Sequence, residues 1–204
     1  MNAIVDPNAV ADAAVRAVVA AKDTVCLHLE SSSPMFYGTQ ALGRLGPATA
    51  PSFRMSTHYG SMGHALAGAL GFCTATGQRA LVLPGDGSLH LMNPLPAAVK
   101  HRAPIAIVVL NDARLALPYF GSERVGAFAA QQTTQLPGWD FTRQGSDRIG
   151  ARRVLEPGEL DDAIREALSF NGPFVVDVQI DRRIVPPVGA RFESVAALSG
   201  GLRA

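Results

Sequence analysis

The chain has 204 residues, 48% hydrophobic and 17% charged, and its 18 basic and 17 acidic side chains leave a net charge of +1. That length supplies one domain with a full core, and the balanced charge gives no sign of a nucleic-acid or membrane partner. No stretch approaches a membrane span, MNAIVDPNAVADAAVRAVVAAKD lacks the basic start of a signal peptide, and Cys26 and Cys73 lack metal or redox spacing, so a cytoplasmic chain with two small buried cysteines is expected.

In chain order, Val10, Ala14, Val18 and Ala21 recur at helical spacing and predict an amphipathic helix over 7–21, with Pro7 near its start. Thr24 to Leu29 predicts the first strand, running into Glu30-Ser31-Ser32-Ser33-Pro34. Hydroxyls there can cap the next helix or hold phosphate oxygens. A second amphipathic stretch spans Met35 to Leu45, and Gly46-Pro47 with Pro51 marks a loop. Phe53 to Thr57 is a short strand leading into His58-Tyr59-Gly60-Ser61-Met62-Gly63-His64. The helix-like Ala65 to Gly71 behind it is rich enough in small residues to predict close packing on a sheet, with Gly77 as its stop.

Ala80 to Leu83 and Ile105 to Leu110 are continuous apolar runs, as strands buried on both faces of a parallel sheet should be. Asn93 to Arg102 is the crossover helix between them, with Asn93 as N-cap and Pro94 in first position. The right-handed crossover brings Gly85-Asp86-Gly87-Ser88 and Asn111-Asp112 to one carboxyl edge, where α/β sheets bind ligands. Asp86 with Asn111 or Asp112 offers hard oxygens suited to Mg²⁺ or Ca²⁺, and Gly87 and Ser88 let backbone N–H groups approach an anion. A divalent cation bridging a diphosphate is the natural reading. Leu117 to Gly121 could wall a substrate pocket or be plain core, and 121–140 reads as a long loop or short-helix region that could order over a ligand. Phe141 to Ile149 is a possible helix. Ala151 to Leu155 and Pro173 to Ile180 are the last strands, flanking a helix from Glu159 to Phe170. These elements predict an α/β fold, three-layer α/β/α with a mainly parallel sheet of about six strands. The whole of 1–204 forms a single domain, with a core of about 23–185 and an extended tail over 186–204.

GDGS, followed after Leu110 by Asn111-Asp112, resembles the thiamine diphosphate (ThDP) motif of the pyruvate decarboxylase and acetolactate synthase superfamily. Glu30 to Ser33 resembles the ESTS segment of benzoylformate decarboxylase-type enzymes, which implies Ser32 and Ser33 as diphosphate contacts. GSMGH resembles the phosphonopyruvate and sulfopyruvate decarboxylases. By that resemblance Gly60 offers its carbonyl to the cofactor's aminopyrimidine, Ser61 lies beside it and Met62 is the wedge beneath the cofactor. The resemblance implies cofactor contacts from Gly85, Asp86, Gly87, Ser88, Asp112, Leu115, Ala116 and Leu117. It implies Mg²⁺ ligands from Asp86, from Asp112 (or Asn111) and from the backbone oxygen of Arg114. The usual second Asn is Asp112 here, a departure that adds a negative charge. His58 and His90 are the preferred candidates for proton relay near the reacting carbon.

The resemblance covers residues 24 to about 180 and only the diphosphate-binding half. In the superfamily a glutamate from a separate pyrimidine-binding domain activates the cofactor, and none of Glu30, Glu123, Glu156, Glu159, Glu166 and Glu193 lies in a segment resembling the activating one. The expectation is therefore a subunit of a split 2-oxo acid decarboxylase that works with a companion pyrimidine-binding subunit, as a heterotetramer or as a homodimer of this chain plus that partner. The alternatives are a subunit of an acetolactate synthase-type carboligase, or a non-catalytic nucleotide- or diphosphate-binding module. GDGSLH lacks the third glycine of a dinucleotide fingerprint.

Overall fold

The computed structural model describes residues 4–45, 51–55, 57, 59–143 and 146–189. Its strands are β1 (Val25–Leu29), β2 (Phe53–Met55), β3 (Arg79–Leu83), β4 (Ile105–Asn111), β5 (Gly150–Val154) and β6 (Phe174–Gln179). They form one six-stranded sheet in the order β2-β1-β3-β4-β6-β5, with every pairing parallel. β1 and β4 are buried at every position, which is why their sequences stay apolar without alternating.

The helices are α1 (Pro7–Ala20), α2 (Ser33–Leu45), α3 (His64–Thr76), α4 (Asp86–Leu91), α5 (Leu95–His101), α6 (Ala116–Arg124) and α7 (Leu160–Ser169). α1, α2 and α7 cover one face, packing Val18, Tyr37 and Ile164 into the cluster that holds Leu27, Leu81 and Val176. α3 and α5 cover the other, where Leu66, Cys73 and Leu95 join Val82, Ile107 and Val175. The three-layer α/β/α arrangement follows, and α1 uses its apolar face on its own domain. Asp6 caps that helix by accepting the Asn8 N–H at 2.7 Å. Cys26 and Cys73 are free and buried, and among the described residues no helix is long and apolar enough to cross a membrane.

Several expectations need correction. The β3–β4 crossover carries two helices, because GDGSLH itself winds into α4, and Asn93 caps α5 by accepting the Leu95 N–H at 3.0 Å. The small residues of α3 do not all meet the sheet. Ala65, Leu66, Ala69 and Cys73 do, whereas Gly68 and Gly71 lie on the exposed side, with nothing within 4 Å of the position a Cβ would take. No helix forms among the described residues of 141–149. Asp140 accepts the Thr142 N–H at 3.0 Å and Asp177 the Phe141 N–H at 3.2 Å, which holds the start of that segment in a turn. The tail is anchored at its start, where Val188 is buried against Phe120; residues 190–204 lie outside the described part, as do 46–50 of the expected loop.

One buried carboxylate ties the layers together. Glu30, at the end of β1, is 0% exposed, and its oxygens accept the N–H groups of Ser31 at 3.0 Å and of Leu66 at 3.4 Å. Burial pushes its carboxyl above the usual range, while backbone N–H groups of Ser31, Leu66, Ala65 and Gly63 pull the other way. It supplies the side-chain acceptor that Gly63, the N-cap of α3, lacks. Glu30→Ala is expected to destabilise the chain by about 2–4 kcal/mol, by orphaning these donors. Urea denaturation checks this, and an unchanged midpoint would contradict the capping role.

Candidate functional site

The chain runs from β1 outward to β2 and then back across to β3, so strand order reverses between β1 and β3. A parallel sheet leaves a crevice at the carboxyl ends of strands at such a point. Ser31 to Pro34 after β1, Gly85 to Ser88 after β3, and Asp112 with Arg114 to Ala116 after β4 line it. The sequence-predicted Ser32, Ser33, Met62, Gly85, Asp86, Gly87, Ser88, Asp112, Arg114, Leu115 and Ala116 are thus brought together.

Asp86 stands at the centre, 2% exposed. Its Oδ1 accepts the Gly87 N–H at 2.7 Å, and its Oδ2 is buried with no partner. Burial first, and the nearby Asp112 second, push its carboxyl up to about 7, against the pull of the Gly87, Ala113 and Arg114 N–H groups. Ser33 Oγ is likewise buried without a partner. Two unpartnered polar atoms on one crevice suit a polar ligand. A Cβ at Gly87 would stand 2.6 Å from Leu115 Cδ2, so a larger residue there would displace the Leu115 side chain.

Asp112 is held by Arg114, whose Nε lies 2.8 Å from its Oδ2, with both side chains nearly buried. Asn111 is not at the site. Its amide donates to Asp177 Oδ1 at 2.8 Å and to the Trp139 carbonyl at 2.9 Å, turning away from Asp86. That removes Asn111 from the candidate metal ligands and leaves Asp112, because neighbouring residues at the end of a strand point to opposite sides. Among the described residues no group of three or more His, Cys, Asp or Glu converges. A cation beside Asp86 and Asp112 would complete its shell from backbone and ligand oxygens, which suits Mg²⁺ bound to a diphosphate.

Beyond Met62 the crevice opens into an outer cleft of ≈ 330 Å³ that also takes in Thr57, Gly60, Leu117 and Pro118. Gly60 has φ 61, and its carbonyl accepts the Ser31 hydroxyl at 2.9 Å. Ser31, which sequence reasoning passed over for Ser32 and Ser33, therefore sets the Gly60 turn; its place in a run of three hydroxyls was the available signal. Ser61 is exposed and lines neither cleft. His90 is also exposed, its ring set edge-on to Phe141 at 5.2 Å and Trp139 at 6.1 Å, and it does not line either cleft. His58 lies outside the described residues. The apolar Leu117–Gly121 stretch divides: Leu117 and Pro118 face the outer cleft, while Tyr119 and Phe120 stack on the Arg114 guanidinium. The long segment after α6 includes a 3₁₀ stretch, Phe128–Thr134, and closes on this turn where Leu115 N–H donates to Thr134 O at 2.8 Å.

An acid whose folded-state pKa is raised favours the protonated fold, so its contribution is complete below the unfolded value and is lost as pH rises through the folded one. For Asp86 that window runs from 3.8 to about 7. Asp86→Asn is expected to stabilise the metal-free protein at about pH 8, by up to a few kcal/mol, and to leave it little changed near pH 4. Thermal melts in chelator at both pH values check this, and a loss of stability at the higher pH would contradict the charge assignment.

The family described as thiamine pyrophosphate enzyme, C-terminal TPP binding domain, matches residues 38–178. The chain is 32% identical over 140 residues to YdaP of Bacillus subtilis (strain 168), whose name describes a thiamine pyrophosphate-containing protein; the match covers 67% of this chain and 24% of that one. It is 26% identical over 137 residues to the mitochondrial acetolactate synthase catalytic subunit of Saccharomyces cerevisiae, covering 65% of this chain and 20% of that protein. A thiamine diphosphate-dependent 4-hydroxybenzoylformate decarboxylase from Rhodococcus jostii RHA1 shares the fold at a TM-score of 0.73 and 23% identity, over 89% of this chain and 33% of that one. The chain thus spans about a fifth to a quarter of the length of these curated relatives. With the crevice at the β1–β3 reversal and the match over 38–178, the chain belongs to the thiamine pyrophosphate enzyme family, as its C-terminal TPP-binding domain.

Proposed function

We propose that this chain is the diphosphate-binding subunit of a split, Mg²⁺-dependent ThDP enzyme that decarboxylates a 2-oxo acid. The observation that carries the reading is the pair of buried, unpartnered oxygens, Asp86 Oδ2 and Ser33 Oγ, on one crevice at the strand-order reversal. Asp86, Asp112 and the backbone oxygen of Arg114 would hold the cation. The Ser33 hydroxyl and the Gly87 and Ser88 segment would hold the diphosphate. Gly60 would offer its carbonyl to the aminopyrimidine, in a turn that Ser31 fixes. Met62, between the inner and outer clefts, would support the ring system. Bound there, ThDP supplies an electron sink for cleaving the bond between a carbonyl carbon and a carboxylate. Leu117 and Pro118 would exclude water on the substrate side.

A companion pyrimidine-binding subunit is part of the same proposal. Glu30, the glutamate nearest the crevice in sequence, is committed to capping α3, and Glu123, Glu156, Glu159 and Glu166 lie on or beside α6 and α7. The exposed side of α3, with Gly68 and Gly71 bare, and the exposed edge strand β2 adjoin the Gly60 turn. Such a surface lets another backbone come close. Acetolactate synthase among the relatives supports carboligation as the second reading, and product analysis with pyruvate and an added aldehyde discriminates the two.

Purified alone with ThDP and Mg²⁺, the chain is expected to turn over no 2-oxo acid, and activity is expected on adding a companion pyrimidine-binding subunit from the same cell. Robust turnover by the chain alone would contradict the split arrangement. Asp86→Ala is expected to abolish the rise in melting temperature that ThDP gives in the presence of Mg²⁺; an undiminished rise would place the cation elsewhere.

A further inference from the structure

Asp112 stands where the resemblance expects an asparagine, and the structure joins it to Arg114. The guanidinium Nε meets Asp112 Oδ2 at 2.8 Å, with the side chains 4% and 6% exposed. It lies 4.2 Å from the Tyr119 ring centroid and 4.6 Å from that of Phe120, and a terminal nitrogen donates to the Arg182 carbonyl. Phe120 is in turn packed by Val188. Four contacts thus hold one planar cation beside Asp112, on the wall of the crevice that also holds Asp86. A lysine has neither the fork nor the flat face to make them all.

A second carboxylate next to Asp86 would, uncompensated, repel an incoming diphosphate and leave two buried charges of one sign in contact with the same crevice. Asp181, which also lines the crevice, is paired with Arg183 at 2.7 Å, so with Arg114 on Asp112 the crevice carboxylate left without an ion pair among the described residues is Asp86. We infer that Arg114 is a positioning residue that occupies one oxygen of Asp112 and cancels its charge, so that a carboxylate can serve as cation ligand at 112 without expelling the diphosphate. This rests on the functional reading above and goes beyond it, because it makes Asp112 and Arg114 one unit whose halves act on cation and anion in opposite directions.

The test is a double-mutant cycle on the full chain, read by Mn²⁺ electron paramagnetic resonance and by ThDP titration at fixed Mn²⁺. Arg114→Met is expected to bind Mn²⁺ alone about tenfold more tightly and ThDP about tenfold more weakly, and Asp112→Asn with Arg114→Met is expected to return both affinities to within about threefold of the parent. Shifts of the same sign, or a double variant that returns neither affinity, would overturn the inference. Circular dichroism reports whether Arg114→Met folds. If it does not, a folded double variant with near-parental affinities supports the coupling, and a double variant that also fails to fold or bind overturns it. Failure of the parent to take up Mn²⁺ and ThDP would overturn the functional reading along with this inference; parental uptake with shifts of one sign overturns this inference alone.

Discussion

A carboxylate buried without a counter-charge is the constraint on which the rest of this structure depends. Asp86 sits at the carboxyl end of a central strand, where the fold removes it from water and gives one oxygen a backbone N–H and the other nothing. Such a group costs the fold stability. It is tolerable because β1, β3 and β4 are locked in register by their neighbours, and because the cores on both faces supply ample stabilisation. The same geometry that makes Asp86 costly makes it receptive to a cation, and the parallel topology leaves a crevice beside it for that cation's other ligands.

Around that point the site is built in two tiers. The inner tier is rigid: the Glu30 cap on α3, the Ser31 hydroxyl on Gly60 and the Asp112–Arg114 pair each fix one wall through hydrogen bonds from buried groups. The outer tier, from Gly60 and Met62 to Leu117 and Pro118, is open, and the bare face of α3 lies beyond it. The proposed companion subunit would meet the chain on that open side.

Much of this was legible in the sequence. Continuous apolar runs mark buried parallel strands, and the right-handed crossover rule alone puts Asp86 and Asp112 on one edge. What the sequence hid depended on tertiary partners. Nothing local tells Asn111 from Asp112 as the residue facing Asp86; the choice is made by Asp177 and Trp139, which are distant in sequence and claim the Asn111 amide. Nothing local gives Glu30 a role, and only the return of α3 makes it a cap. The small residues of α3 suggested close packing on the sheet, yet glycines report only that something can approach, not from which side. His90 sat two residues from the motif but α4 carries it toward Phe141 instead. The Asp140 side chain and Asp177 replaced a helix with a turn after residue 140.

The proposed role of Asp86 and its neighbours is to hold a cation that in turn holds a diphosphate. Calorimetric titration of the full chain with ThDP and with NAD, each with and without Mg²⁺, tests it most directly. Heat of binding is expected with ThDP only when Mg²⁺ is present, and none with NAD. Equal binding of NAD, or ThDP binding indifferent to Mg²⁺, would contradict the account.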